Sequence, residues 1–241
     1  MLAAEIRRIM GRRGSYWSAM LVGLGAVVIM IIVRISQSGD AGGTELLDAM
    51  DPISTVATIM AVLVGALAGS YDTAQGTMRY LVMTGVPRRR LYVTRVLGTA
   101  IATIICCLPA IALAIGAAYL CRHNAFNDPT LRADLGGVWA YLANPVIFGL
   151  VSVGVGSFLH SNGAAIGVSL GFALGSGLLT GLISSQISDT AASYVLPAAA
   201  DIVAQLDRHA NIALAAAFAA VVVWLAALLG AGLWRVLHDE Y

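Results

Sequence analysis

Residues 97–120 read LGTAIATIICCLPAIALAIGAAYL, 24 residues without a charge, with Arg95 shortly before them and Arg122 shortly after. A helix crosses a hydrocarbon core of roughly 30 Å with about 20 apolar residues, and it satisfies its own backbone hydrogen bonds where no water can do so. The run from Leu97 to Leu120 therefore predicts a transmembrane helix. Pro109 falls inside it and predicts a kink of the kind membrane bundles tolerate.

Outward from this run, the same criterion selects Tyr16 to Ile35, Ile53 to Ser70, Val138 to Leu159, Gly163 to Ile183 and Ile212 to Leu233. The expected fold is thus an all-α integral membrane protein of six transmembrane helices, forming a single transmembrane domain over residues 1–241. A composition of 59% hydrophobic and 11% charged residues agrees, because a soluble domain needs far more charge on its surface. Arg34 is the one charge inside a span, and near its end the guanidinium can reach the headgroups while the stem stays in lipid. Pro145 predicts a second kink, in span four. The first run is long enough to span and is not followed by a small-residue cleavage pattern, so it reads as retained.

Six crossings put both termini on one side, and arginine decides which side is cytoplasmic. Arg7, Arg8, Arg12, Arg13, Arg79, Arg88, Arg89, Arg90, Arg95 and Arg235 fall on the side of the termini, against Arg34, Arg122, Arg132 and Arg208 on the other. Asp40, Glu45, Asp48, Asp51, Asp128, Asp134, Asp189, Asp201 and Asp207 all fall on that second, outer side. The connections there are too short for a folded extracellular domain. One of them, 184–211, contains an apolar stretch from Ala191 to Ala200 with Pro197, too short to span. It reads either as a re-entrant segment or as a short helix lying on the outer surface.

Residues 1–15 place Leu2, Ile6, Ile9 and Met10 on one side of a helix and Arg7, Arg8 and Arg12 towards the other. Together with Arg13 they suit an interfacial amphipathic helix whose polar side meets lipid phosphates or a partner. The plainer reading is that these arginines only set topology.

Several activities are argued against. All fourteen basic residues are arginine, which removes the P-loop lysine and Schiff-base chemistry. His123, His160, His209 and His238 are scattered, so the paired imidazoles of an intramembrane metalloprotease are missing. Ser176 has no histidine in another span to activate it and reads as a packing residue. Cys106 and Cys107 are adjacent and read as small core residues, and Cys121 has no obvious intrachain partner. With no acid at mid-span, a proton relay is not expected. The chain is not expected to be an enzyme, to bind a cofactor or metal, or, with a net charge of +1, to attract nucleic acid.

The cytoplasmic link from Tyr71 to Arg95 carries the most information. Gly85 and Pro87 can end a short helix and Arg88 to Arg90 can open the next, so the link presents a compact helical turn. Asp72, Gly76, Thr77, Arg79, Pro87, Arg88 and Arg90 match the pattern of acid, Gly-Thr, arginine and Pro-x-Arg in the corresponding link of ABC type-2 permeases. The chain resembles that family in layout too, with an interfacial N-terminal helix, six spans, a short connection between spans four and five and a partly re-entrant segment before span six. Asp72 stands where the family usually has glutamate and Arg95 near a position where lysine is frequent, and both keep the charge.

The resemblance implies the permease subunit of an ATP-driven exporter in a bacterial cytoplasmic membrane. In that picture residues 71–96 form a coupling helix, with Asp72, Gly76, Thr77, Arg79, Pro87, Arg88, Arg89 and Arg90 contacting a separate ATP-binding subunit. Two such subunits would hold ATP and Mg, and a second permease chain, identical or homologous, would complete the path for a hydrophobic or amphipathic substrate. The family also implies that spans one and five meet across a dimer axis. Gly163, Gly167, Gly171 and Gly175 recur every four residues along span five and align on one face, which serves either that seam or packing within the chain. The rival reading is a membrane anchor or immunity protein that binds a partner or toxin without moving anything.

Overall fold

The computed structural model describes residues 6–9, 11, 17, 21, 24–25, 28–29, 32, 45–76, 85–121, 138–159, 161–205 and 212–238. Among these residues there is no strand. After a helical turn at 6–9, the helices are α1 (Glu45–Ala74), α2 (Arg88–Cys121), α3 (Val138–Leu159), α4 (Asn162–Gln186), α5 (Asp189–Ala192), α6 (Leu196–Gln205) and α7 (Leu214–His238). Five of them, α1 to α4 and α7, are long and apolar enough to cross a membrane. This is the architecture of an all-helical, membrane-embedded, multi-pass protein. The predicted span from Tyr16 to Ile35 lies mostly outside the described residues; those described within it, including Trp17, Leu21, Val28 and Ile29, are helical.

The helices run past the predicted spans, α1 at both its ends, since it begins at Glu45 rather than Ile53. Span two was expected to stop at Ser70 and span three to start at Leu97, yet α1 continues through Asp72 to Ala74 and α2 begins at Arg88. Charge should end an apolar crossing unless it finds a partner, and here Asp72 and Arg95 find each other.

Glycine holds the bundle together, because in lipid the helices gain little from burying apolar surface and associate through close approach. Gly65 and Gly69 of α1, four residues apart, lie against α3. A Cβ on Gly65 would overlap the Gly149 carbonyl, and one on Gly69 would stand 2.5 Å from the Val153 carbonyl. Across the same seam, a Cβ on Gly156 would stand 2.6 Å from the Ala66 carbonyl. The opposite side of α3 meets α7, where a Cβ on Gly154 would approach the Leu228 carbonyl to 2.6 Å and one on Gly232 would approach the Gly154 carbonyl to 2.8 Å. Residue numbers rise together along the α1–α3 seam, and from Gly154 beside Leu228 to Phe158 beside Arg235 along the α3–α7 seam, so α1, α3 and α7 are parallel.

Helix α2 runs the other way, with Arg95 beside Gly69 and Thr103 beside Gly149. Helix α4 starts at the end where α1 and α3 finish, tied there by the Ser70 hydroxyl donating to Asn162 Oδ1 at 2.7 Å. We call this the arginine end, since Arg8, Arg88, Arg89, Arg90, Arg95 and Arg235 all belong to it.

The segment between α4 and α7 is part of the core. Leu196, Ala199, Ala200 and Val203 of α6 are buried with Ile147, Phe148 and Val151 of α3 and Ala217 and Val221 of α7. Trp224 Nε1 donates to the Tyr194 carbonyl at 3.2 Å. Trp224 lies ten residues into α7, about 15 Å along its axis. The joint between α5 and α6 is thus folded deep against the crossing helices. The described part of this segment packs against α3 and α7; residues 206–211 lie outside the description.

Candidate functional site

Asp72 is the only acid between Asp51 and Asp128 in the sequence, and the last turn of α1 carries it inward. Its side chain is 1% exposed and accepts from two guanidinium groups, those of Arg8 and Arg95. Arg95, from the second turn of α2, is equally buried, and its Nη1 also donates to the Gly69 carbonyl at 3.3 Å. Arg8 comes from the N-terminal turn and is partly exposed. One carboxylate therefore joins the N-terminal segment, α1 and α2. A buried ion pair of this kind is costly to break, because removing one partner strands a charge away from water.

The first turn of α2 extends the linkage to α7. Arg88 Nη1 donates to the Val236 and Leu237 carbonyls, long contacts of 3.4 Å each, and the Tyr92 hydroxyl donates to the Leu229 carbonyl at 2.9 Å. Carbonyls in the last turn of a helix are unpaired and partly negative, so a guanidinium suits them. The Arg235 guanidinium also lies over the Phe158 ring of α3, 5.4 Å from its centre.

Arg89 and Arg90 are exposed. They occupy the first turn of a helix, where the macrodipole is positive, so their placement is locally unfavourable. Gly76 and Gly85 bracket the residues before them at φ 66° and 79°, a left-handed conformation that lets α1 stop and the chain turn into α2. The Pro87 carbonyl accepts from the Arg90 and Leu91 amides at 2.9 and 3.2 Å, which starts α2.

The residues expected to contact an ATP-binding subunit thus fall into two groups. Asp72 lies inside the bundle, where a docking subunit cannot reach it. Gly76, Pro87, Arg89 and Arg90 are exposed, and Arg88 is half-buried. Thr77 and Arg79 lie outside the described residues, as do Arg12 and Arg13; Arg7 is exposed. Arg95 and Arg8 emerge as the partners of Asp72. The signal in the sequence was the isolation of that single acid in an arginine-rich stretch.

Gly163, Gly167, Gly171 and Gly175 do not pack against the described helices: a Cβ at any of them would meet no atom within 4 Å. Most of α4 is exposed, including Val168, Leu174, Leu178 and Leu182. The glycines that do pack are Gly65, Gly69, Gly149, Gly154, Gly156 and Gly232, which carry no regular repeat through one span.

At the opposite end, Asn144 of α3 donates from Nδ2 to Asp201 Oδ1 of α6 at 2.6 Å. Asp201 belongs to an outer connection in the sequence, but the fold of α6 sets it against a crossing helix. Cys106 and Cys107 are both buried, as small core residues would be. Among the described residues no cluster of three or more His, Cys, Asp or Glu could hold a metal.

No family model matches the chain. No curated protein and no solved structure matches it either.

Proposed function

We propose that this chain is the permease subunit of an ATP-driven exporter, resembling the ABC type-2 permeases, with six spans, the arginine end in the cytoplasm and ATP hydrolysis on separate subunits. The observation that carries the reading is the joining of the N-terminal segment, α1 and α2 by Asp72, Arg8 and Arg95, directly behind the exposed Arg89 and Arg90. Two exposed cations at the positive end of a helix are relieved by an acidic partner surface. A force applied there is handed to α1 and the N-terminal segment through Asp72 and to α7 through Arg88 and Tyr92. That is the linkage a rigid-body transport motion requires.

The unpacked glycine face of α4 supports the second half of the proposal. A second permease chain, identical or homologous, seats there, and small residues allow its backbone to come close. The cargo then travels between two bundles whose outer ends are closed by the folded-back α5–α6 segment.

Arg89→Glu/Arg90→Glu tests the coupling more cleanly than a change that includes Arg88, which is engaged with α7. The double variant should melt within a few degrees of the wild type and lose co-purification of its ATP-binding subunit. If the ATPase stays bound and its stimulation by the permease is unchanged, the exporter reading fails and a non-transporting anchor takes its place.

A further inference from the structure

The outward face of α2 joins a cation to a long apolar strip. Arg90, Val93, Leu97, Ile104 and Leu108 fall within about 60° of one another around the helix, at the steps of three, four and seven that keep side chains on one side. Val93, Leu97, Ile104 and Leu108 are 36–50% exposed, and Arg90 is exposed as well. Thr94 lies beside this line, but its hydroxyl is turned back onto the Arg90 and Leu91 carbonyls, 2.9 and 3.0 Å away, which leaves its methyl to the strip.

Lipid chains account for the strip in a membrane-embedded protein, but not for the arginine at its head. Helix α2 has no acid from Arg88 to Cys121, and Asp72, the acid nearest to Arg90 in the sequence, is 1% exposed and held by Arg8 and Arg95. Neither its own helix nor Asp72 therefore offsets the charge of Arg90, and the positive end of the macrodipole adds to it. The Cα–Cβ bond of a helical residue tilts towards the N-terminus, so the Arg90 side chain starts away from Leu97 and past the head of the strip. Charge first and hydrocarbon after is the order of a phospholipid, phosphate then acyl chains. Arg90 and Leu97 are about 10 Å apart along the axis, within the roughly 15 Å that one acyl chain fills as half of the hydrocarbon core. A guanidinium takes any lipid phosphate in two parallel hydrogen bonds, but only an anionic lipid brings the net negative charge that this end lacks.

We propose that the outward face of α2 binds an anionic phospholipid, with its phosphate on Arg90 and a chain along Val93, Leu97 and Ile104. This binding belongs to the chain itself and does not rest on the exporter reading. A docked ATP-binding subunit would still have Arg89, about 100° round the axis, and the donors of Arg90 that the phosphate leaves free.

The test uses the purified full chain in phosphatidylcholine nanodiscs that carry a small fraction of either diazirine-tailed phosphatidylglycerol or diazirine-tailed phosphatidylcholine. After irradiation, peptide mass spectrometry maps the adducts. In the wild type the α2 strip should take up the phosphatidylglycerol probe about 5-fold more than the phosphatidylcholine probe. Arg90→Gln should make the two equal at an unchanged melting temperature, while Arg89→Gln keeps most of the preference. Millimolar glycerol phosphate in the buffer should leave the labelling unaltered. Equal labelling of the wild type by both probes would show that lipid covers the strip whatever its headgroup, and overturns the inference. A preference that survives Arg90→Gln overturns it as well, as do phosphatidylglycerol adducts confined to other helices. Loss of the preference on adding glycerol phosphate gives Arg90 to a free phosphate instead. No ATPase is present, so this result and the docking result for Arg89→Glu/Arg90→Glu can each fail alone.

Discussion

Asp72 is the residue on which the arginine end depends. The two guanidinium groups on it are unequal: Arg95 is as buried as Asp72 itself, whereas Arg8 is about a third exposed. The energetic consequences should be unequal too. Asp72→Asn takes the Asp72 carboxylate away from the buried Arg95 guanidinium and should cost about 3–5 kcal/mol. Arg8→Ala removes a partner that water can replace and should cost about 1 kcal/mol or less. Thermal unfolding in one detergent measures both, and equal losses would contradict the burial difference. Glutamate at position 72 would have to fit an extra methylene between α1 and α2, so Asp72→Glu is expected to destabilise as well, by about 1–3 kcal/mol. The short acid at this position is matched to the close approach of the two helices.

Among the elements, the α1–α3 and α3–α7 seams contrast with α4. The close seams use glycines whose missing Cβ is occupied by a neighbouring backbone carbonyl. Gly65→Ala or Gly69→Ala must push α1 away from α3, and overpacking of that sort typically costs about 1–3 kcal/mol. Gly167→Ala and Gly171→Ala meet no atom of the described residues and should leave the melting temperature of the isolated chain unchanged or slightly higher, since alanine favours helix. Gly171→Leu, by contrast, should shift a dimer to monomer in native mass spectrometry if the α4 face seats a second chain. An unaltered oligomer with leucine there would remove α4 from the interface.

On the scale of the whole molecule, the arginines at one end and Asp189 and Asp201 towards the other make the bundle electrically polar along its axis. Arginine is retained on the cytoplasmic side of membranes, so Gln75, at the arginine end, should face the cytoplasm and Gln186 the exterior. Both are exposed. In a background with the native cysteines replaced by alanine, an impermeant maleimide applied to intact cells should label Gln186→Cys and spare Gln75→Cys. Labelling in the reverse order would invert the protein and end the proposal that an ATPase docks on Arg89 and Arg90.

Read alone, the chain determined its class: long uncharged runs have no alternative to helices in lipid, and runs such as Leu97 to Leu120 declare themselves by length and composition. It also announced the arginine-rich link, since charge is visible without coordinates. Which charges face one another was a different matter. Asp72 and Arg95 are 23 residues apart, and only the antiparallel packing of α1 and α2 decided that they meet inside rather than greet a partner. Asp201 counted only as one of the acids on the outer side until the packing of α6 set it beside Asn144. Hydropathy is a sum over neighbours along the chain, whereas burial and pairing depend on neighbours in space, and it was the second kind of neighbour that located both pairs.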